Sequence, residues 1–215
     1  MKDEDPDFKF EPILGLPEYL PEGEEMLWQG RPDWWVLAKE ALVVRWVIGY
    51  FLVLAFWRVG TLLDQGPFAT VITAAIPCLA CGAVAAGILM LIAYVLARTT
   101  VYTITNRRVV MRIGAALTIT LNLPFKQIKN AELDLRKSGT GTIALDLDQR
   151  TRLSYLVCWP HVRPWSIRQT KPALRCIRNA QQVGELLAEV AEAEINRPQI
   201  KRTTPETTAA PVAAE

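Results

Sequence analysis

Between Asp64 and Arg98 the chain runs for 33 positions without a charged residue, and no other feature restricts its folding so strongly. About 18 apolar residues suffice for a membrane-spanning helix, and the core helix of a soluble domain does not extend this far. At 1.5 Å per residue the run would reach about 50 Å as one helix. That is longer than one crossing, yet too short for two crossings and a turn. One tilted or kinked span over about residues 68–97 is therefore expected, with Gly66, Pro67 and Pro77 marking its entry or kink.

A first apolar segment, about residues 41–60, precedes it. Arg45 and Arg58 bracket only 12 uncharged residues there, a length that alone would suit a buried helix. The two Arg backbones would lie about 20 Å apart, short of a hydrocarbon layer of about 30 Å, and long Arg side chains bridge such gaps by snorkelling. Trp34, Trp35, Trp46 and Trp57 fall where an aromatic belt belongs. With Arg45 and Arg58 they form the expected membrane-interface set. The acidic stretch Asp3, Glu4, Asp5, Asp7 and Glu11 stands where a secretory signal would be basic, so no cleaved signal peptide is expected.

Orientation follows Lys and Arg close to the spans. Arg31, Lys39 and Arg45 precede the first span, and Arg98, Arg107, Arg108 and Arg112 follow the second. The loop between holds Arg58 and Asp64. Both termini are therefore expected on the cytoplasmic side, with a short loop outside. Residues 1–45 carry five basic and eleven acidic side chains, net −6, and residues 98–215 carry eighteen and ten, net +8. These opposite balances invite contact between the two ends of the chain.

Residues 1–30 are acidic and punctuated by prolines, so they are expected to be mostly irregular. Arg31-Pro32-Asp33 reads as a helix start, leading into an interfacial amphipathic turn. Residues 31–97 thus form the turn plus two transmembrane helices. In the second span, Gly82 with Ala86 and Ala83 with Gly87 have the small-xxx-small spacing that lets another helix approach. That helix is either the first span or one from another membrane protein. Cys78 and Cys81 form a CxxC inside an apolar helix, where neither metal nor redox chemistry is favoured.

After Arg98 the hydrophobic period changes to two. Strands are expected at 99–105, 108–113, 117–123, 128–136, 143–147, 152–158 and 173–177, with turns at Asn106-Arg107 and Ser138-Gly139-Thr140-Gly141. Val183, Leu186, Leu187 and Val190 then share one face of a helix. Seven strands and one amphipathic helix over 98–195 describe a small β-sandwich or barrel covered at one end. Residues 196–215, rich in Thr, Pro and Ala, are expected to be disordered.

No catalytic, cofactor or metal site is expected. The one histidine, His161, lies in a proline-containing connection without a sequence-adjacent partner, and a lone histidine there reads as structural or solvated. Asp146 and Asp148 share a strand face as a solvated edge. Neither span holds a histidine. Arg107, Arg108 and Arg112 are the expected basic surface, facing lipid headgroups, an acidic partner or plain solvent. No nucleic-acid or small-molecule partner is indicated.

The run Val101-Tyr102-Thr103-Ile104-Thr105-Asn106-Arg107-Arg108-Val109-Val110-Met111-Arg112-Ile113-Gly114, with Leu123-Pro124-Phe125-Lys126-Gln127-Ile128, resembles bacterial pleckstrin-homology-like domains that follow membrane hairpins. With the lead-in Pro21 to Trp35 and the earlier Phe10-Glu11-Pro12 and Gly15-Leu16-Pro17, the whole is similar to the PuhB-type photosynthetic complex assembly proteins of purple bacteria. The resemblance implies an α+β membrane protein, a two-helix hairpin followed by a pleckstrin-homology-like sandwich and its C-terminal helix. It also implies a non-enzymatic factor for assembly of the reaction centre and, by extension, its light-harvesting complex. Membrane lipids and reaction-centre or light-harvesting subunits are the implied partners, and a homo-oligomer stays open. The alternative is a generic membrane-tethered scaffold that binds lipid or stress-response partners.

Overall fold

β-branched and aromatic residues dominate Val101–Thr105 and Arg108–Ile113, and in the computed structural model they pair as an antiparallel hairpin, Val101 opposite Arg112 and Ile104 opposite Val109. Residues 13–63, 67–114, 118–148 and 153–195 are described. The acidic stretch before residue 13, Asp64, Gly66, Leu117, Arg152 and the tail from 196 lie outside the described residues.

In chain order the elements are β1 (Met26–Gly30), α1 (Trp34–Glu40), α2 (Val44–Leu62), α3 (Phe68–Thr73), α4 (Ile76–Thr99), β2 (Val101–Thr105), β3 (Arg108–Ile113), β4 (Ile119–Pro124), β5 (Ile128–Leu135), β6 (Gly141–Leu147), α5 (Tyr155–Cys158), β7 (Ala173–Ile177) and α6 (Ala180–Ile195). One sheet has the order β1-β2-β3-β4 and the other β5-β6-β7, all antiparallel. Tyr102, Ile104, Met111, Ile113, Phe125, Ile143, Leu145, Leu174 and Ile177 fill the space between them, with Val183 and Leu187 of α6 closing one end. Each such fully buried side chain contributes about 1.5–3 kcal/mol.

Two corrections concern the strands. The expected sixth strand does not form: residues 155–158 make the single helical turn α5. Both edges of β6 are already occupied, by β5 and by β7, so residues 155–158 find no ladder beside it. The seventh strand comes instead from residues expected to be irregular. β1 pairs with β2, Trp28 opposite Ile104 and Gly30 opposite Tyr102, and the hairpin therefore sits between two neighbouring strands of one sheet rather than ahead of the domain. Gly30 is required where β1 ends, since a Cβ there would meet the Trp28 ring at 2.4 Å.

β2 is buried on both faces. Tyr102 and Ile104 point into the core. On the other face Thr103 accepts from Gln29 Nε2 at 3.0 Å, and the Thr105 hydroxyl donates to Glu24 at 2.8 Å.

The apolar segments form two helices long and apolar enough to cross a membrane, α2 and a stretch from Val71 to Thr99. α2 starts at Val44, later than expected, because Val43 takes a left-handed φ of 53° that separates it from α1. The overlong run breaks at Ala74-Ala75, with Pro77 in the first turn of α4. α1 lies as a wedge between helices and sheet. Its Ala38 packs with Ala86 and Ala93 of α4, and its Leu37 with Ala97 and Cys176.

Asp33 locks the wedge. Its Oδ1 accepts from the Trp35 and Val36 amides at 3.0 and 3.2 Å, and its Oδ2 accepts from Arg178 at 2.9 Å. Its own amide donates to the Cys176 carbonyl at 2.8 Å. Burial pushes this carboxyl up, but the Val36 amide, Arg178 and the Trp35 amide together outweigh burial and hold its pKa below 3.8. Asp33→Ala should therefore lower stability by about 1 kcal/mol through the lost cap, the exposed partner Arg178 adding little. A carboxyl with a depressed folded pKa stabilises fully above the unfolded value and ceases to as pH falls through the folded one. Thermal unfolding in detergent should show the wild-type advantage at pH 7 and its loss toward acid.

Candidate functional site

The residues singled out from sequence fall into three groups, on α1 and α2, on α4 and on the sheet domain. Arg45, Trp46, Trp57 and Arg58 are all exposed and stand at the two ends of one uninterrupted helix, α2. Trp34 and Trp35 on α1 pack edge to face at 5.5 Å. Trp34 meets Tyr94 of α4 at 6.2 Å, Lys39 lies over Trp35 at 5.1 Å and Arg98 over Tyr94 at 5.7 Å. Trp34, Trp35 and Tyr94 thus gather near the end of α4 that enters the sheet, a cluster of aromatic rings with two cations over them.

The two small-residue pairs of α4 separate. Gly82 and Ala86 are buried. Gly82 faces α2 closely enough that a Cβ on it would sit 2.7 Å from the Phe51 Cβ. Ala83 and Gly87 are exposed on the other side, and a Cβ on Gly87 would meet nothing within 4 Å.

The expected basic surface is corrected. Arg112 is not on the surface: it is buried, and its Nη1 donates to the Thr99 carbonyl at 3.3 Å, tying β3 to the end of α4. Arg108 donates twice to the buried Glu24, at 2.8 and 3.0 Å. Arg107 alone of the three is exposed. Sequence reasoning missed these roles because Glu24 lies more than 80 residues from Arg108. The opposite charge balances of the two chain halves were the available signal, and Arg136 with Glu40, at 2.7 Å, follows the same pattern.

His161 is fully enclosed. The Arg175 amide donates to the Tyr102 hydroxyl at 3.3 Å, and that hydroxyl is hydrogen-bonded to His161 Nδ1 at 2.6 Å. The other ring nitrogen, Nε2, is hydrogen-bonded to Thr100 Oγ1 at 3.1 Å. Burial, reinforced by the charge of Arg175, pushes the His161 pKa down to about 3. A neutral ring with both nitrogens engaged and no route to solvent orders the chain rather than moving protons.

Two open clefts flank α6. One, of about 620 Å³, lies between β1 and the start of α6 and is lined by Trp28, Gly30, Asp33, Arg178, Gln182 and Leu186 among others. The other, of about 690 Å³, runs beside the unpaired edge of β5 and is lined by Ile128, Leu133, Leu135, Leu187, Ala188 and Ala191 among others. Neither contains a nucleophile with an adjacent base. Among the described residues no three His, Cys, Asp or Glu side chains gather to hold a metal ion.

The profile of the bacterial PH domain family matches residues 41–191, covering α2 to β7 and most of α6 but neither β1 nor α1. A protein of Rhodobacter capsulatus, described as an uncharacterized 23.7 kDa protein in the puhA 5′ region, is 46% identical over 198 residues, 91% of this chain and 92% of that one. No solved structure matches the chain.

Two expectations follow from the geometry. Gly82→Leu should force α2 and α4 apart and cost about 1–3 kcal/mol, whereas Gly87→Leu should be near neutral in the purified protein; thermal unfolding in detergent measures both. Arg108→Ala leaves the buried Glu24 carboxylate without its charge partner, only the Thr105 hydroxyl still donating to it, and should cost about 2 kcal/mol, read in the same unfolding experiment.

Proposed function

Because this chain belongs to the bacterial PH domain family, we propose that it is a non-enzymatic inner-membrane factor that assists assembly of the photosynthetic reaction centre, and by extension of its light-harvesting complex. The observation that carries this reading is the near full-length relative from the puhA 5′ region, a photosynthesis-related position. The similarity of the lead-in and hairpin to PuhB-type assembly proteins supports the same reading.

In this proposal α2 and α4 cross the bilayer as a hairpin, and the sheets and both termini lie in the cytoplasm. Lys and Arg around the two ends of the hairpin favour that orientation. The pairing of β1 with β2 agrees with it, since two bonded strands occupy one side of a membrane. The exposed Ala83 and Gly87 offer a partner helix close approach to α4, while Gly82 and Ala86 are engaged inside the hairpin.

Deleting the gene should lower the amount of assembled reaction centre, measured by its absorption in isolated membranes; unchanged levels at every stage of growth would sink the proposal. Purification in mild detergent separates it from the alternative of a generic lipid-binding or stress-response scaffold. Photosynthetic subunits should be recovered with the protein, and their consistent absence favours the alternative.

A further inference from the structure

The chain between β6 and β7 holds its largest apolar side chains in the open. Leu156 is 85% exposed, Val157 53%, Trp159 44%, Trp165 91% and Ile167 69%. In the sheets themselves the most exposed large apolar residues of β5 and β6, Leu133 and Leu135, reach only 43% and 46%. Single exposed apolar residues need no explanation, but five within a dozen positions do.

This connection is also held in place at its centre. His161 is bonded on both ring nitrogens, the Pro160 carbonyl accepts from Arg175 Nη1 at 3.1 Å, and Val162 bridges to Pro172. The Ala173 amide donates to the His161 carbonyl and the Arg163 amide to the Lys171 carbonyl, both at 2.9 Å. Arg163 and Lys171 further pair with Glu132 on β5. The apolar side chains therefore protrude from a fixed base. Trp165 even keeps a left-handed φ of 65°, a conformation unfavourable for a bulky residue, although its side chain gains almost no burial within the protein.

The base has a defined place relative to the helices. His161 Nε2 bonds Thr100, the residue at which α4 ends and the sheet begins. Trp159 and Trp165 stand two and four residues along the chain from His161, so they lie within about 7 and 14 Å of its backbone. The headgroup layer beyond the hydrocarbon is itself about 5–7 Å thick on each side, and Trp is the residue that favours it. The neighbouring Arg168 is exposed and suits anionic headgroups.

We infer that the β6–β7 connection is a membrane-inserting element, which lays Leu156, Val157, Trp159, Trp165 and Ile167 into the lipid interface beside the exit of α4. This rests on reading α2 and α4 as membrane spans. Its consequence is a third membrane contact for the sheet domain, which fixes the tilt of the sheets over the bilayer and leaves the clefts flanking α6 available to other proteins.

The test uses full-length protein with Cys78→Ala and Cys81→Ala, whose remaining thiols, Cys158 and Cys176, are buried. Single cysteines replace Trp165, Ile167, Phe56 in α2, or Glu189 on the exposed face of α6. Each carries a polarity-sensitive fluorophore after reconstitution into vesicles of mixed zwitterionic and anionic phospholipid. Labels at 165 and 167 should shift to the blue and lose emission to nitroxide-bearing lipid, as the label at 56 does, while the label at 189 loses emission to aqueous iodide. Water-exposed labels at 165 and 167 with a lipid-quenched label at 56 would overturn the insertion alone and assign the patch to a protein partner. A water-exposed label at 56 would overturn the spanning reading, and the insertion with it.

Discussion

The hydrogen-bonded ladder between Met26–Gly30 and Val101–Thr105 is the constraint on which the other contacts depend. It joins the residues just before the helical hairpin to those just after it, so the hairpin is an insertion between two neighbouring strands. The two ends of the hairpin are thereby held together, and any membrane crossing between them must be matched by a return. α1 then fills the corner between the helices and β7, through Leu37, Ala38 and the Asp33 cap. Hairpin and sheets are consequently one mechanical unit rather than an anchor with a tethered domain.

Charge is spent largely inside this unit. Glu24 with Arg108, Asp33 with Arg178, and Glu40 with Arg136 each pair an acid that precedes the helical hairpin with an arginine of the sheet domain. Arg112, buried against the end of α4, does similar work within the domain. A basic half of the chain that reads as a surface for lipid or partners therefore serves in good part to hold its own acidic half. What remains for outside partners is mostly apolar: the Ala83 and Gly87 side of α4, the groove beside β5, and the exposed β6–β7 connection.

Much of this was legible in the sequence because it depends on local pattern. The uncharged run, the Arg45 and Arg58 brackets, the β2–β3 turn at Asn106-Arg107 and the apolar face of α6 all follow from spacing within a few residues. β1 was not legible: its five residues are flanked by Glu25 and Arg31, show no alternation, and find their partner strand some 70 residues later. α5 was misread as strand because apolar residues suit either state when the ladder that would decide is elsewhere. The fate of the basic residues was equally nonlocal, visible in advance only as opposite charge balances. Of the two small-residue pairs, spacing could not say which faces α2, since that depends on the rotation of α4 about its axis.

The most direct measurement is a thiol crosslink between β1 and β2. Gln29 and Thr103 are register partners with side chains in contact at 3.0 Å, so Gln29→Cys with Thr103→Cys sets two thiols on facing cross-strand positions, Cβ atoms about 4.5–5.5 Å apart, a small shift from the about 3.5–4.5 Å that a disulfide spans. In native membranes, after Cys78→Ala and Cys81→Ala, mild oxidation should join them within one chain, as it should the control pair Thr103→Cys with Val110→Cys across β2 and β3. Efficient crosslinking of the control without any between positions 29 and 103 would contradict the pairing that unites hairpin and sheet.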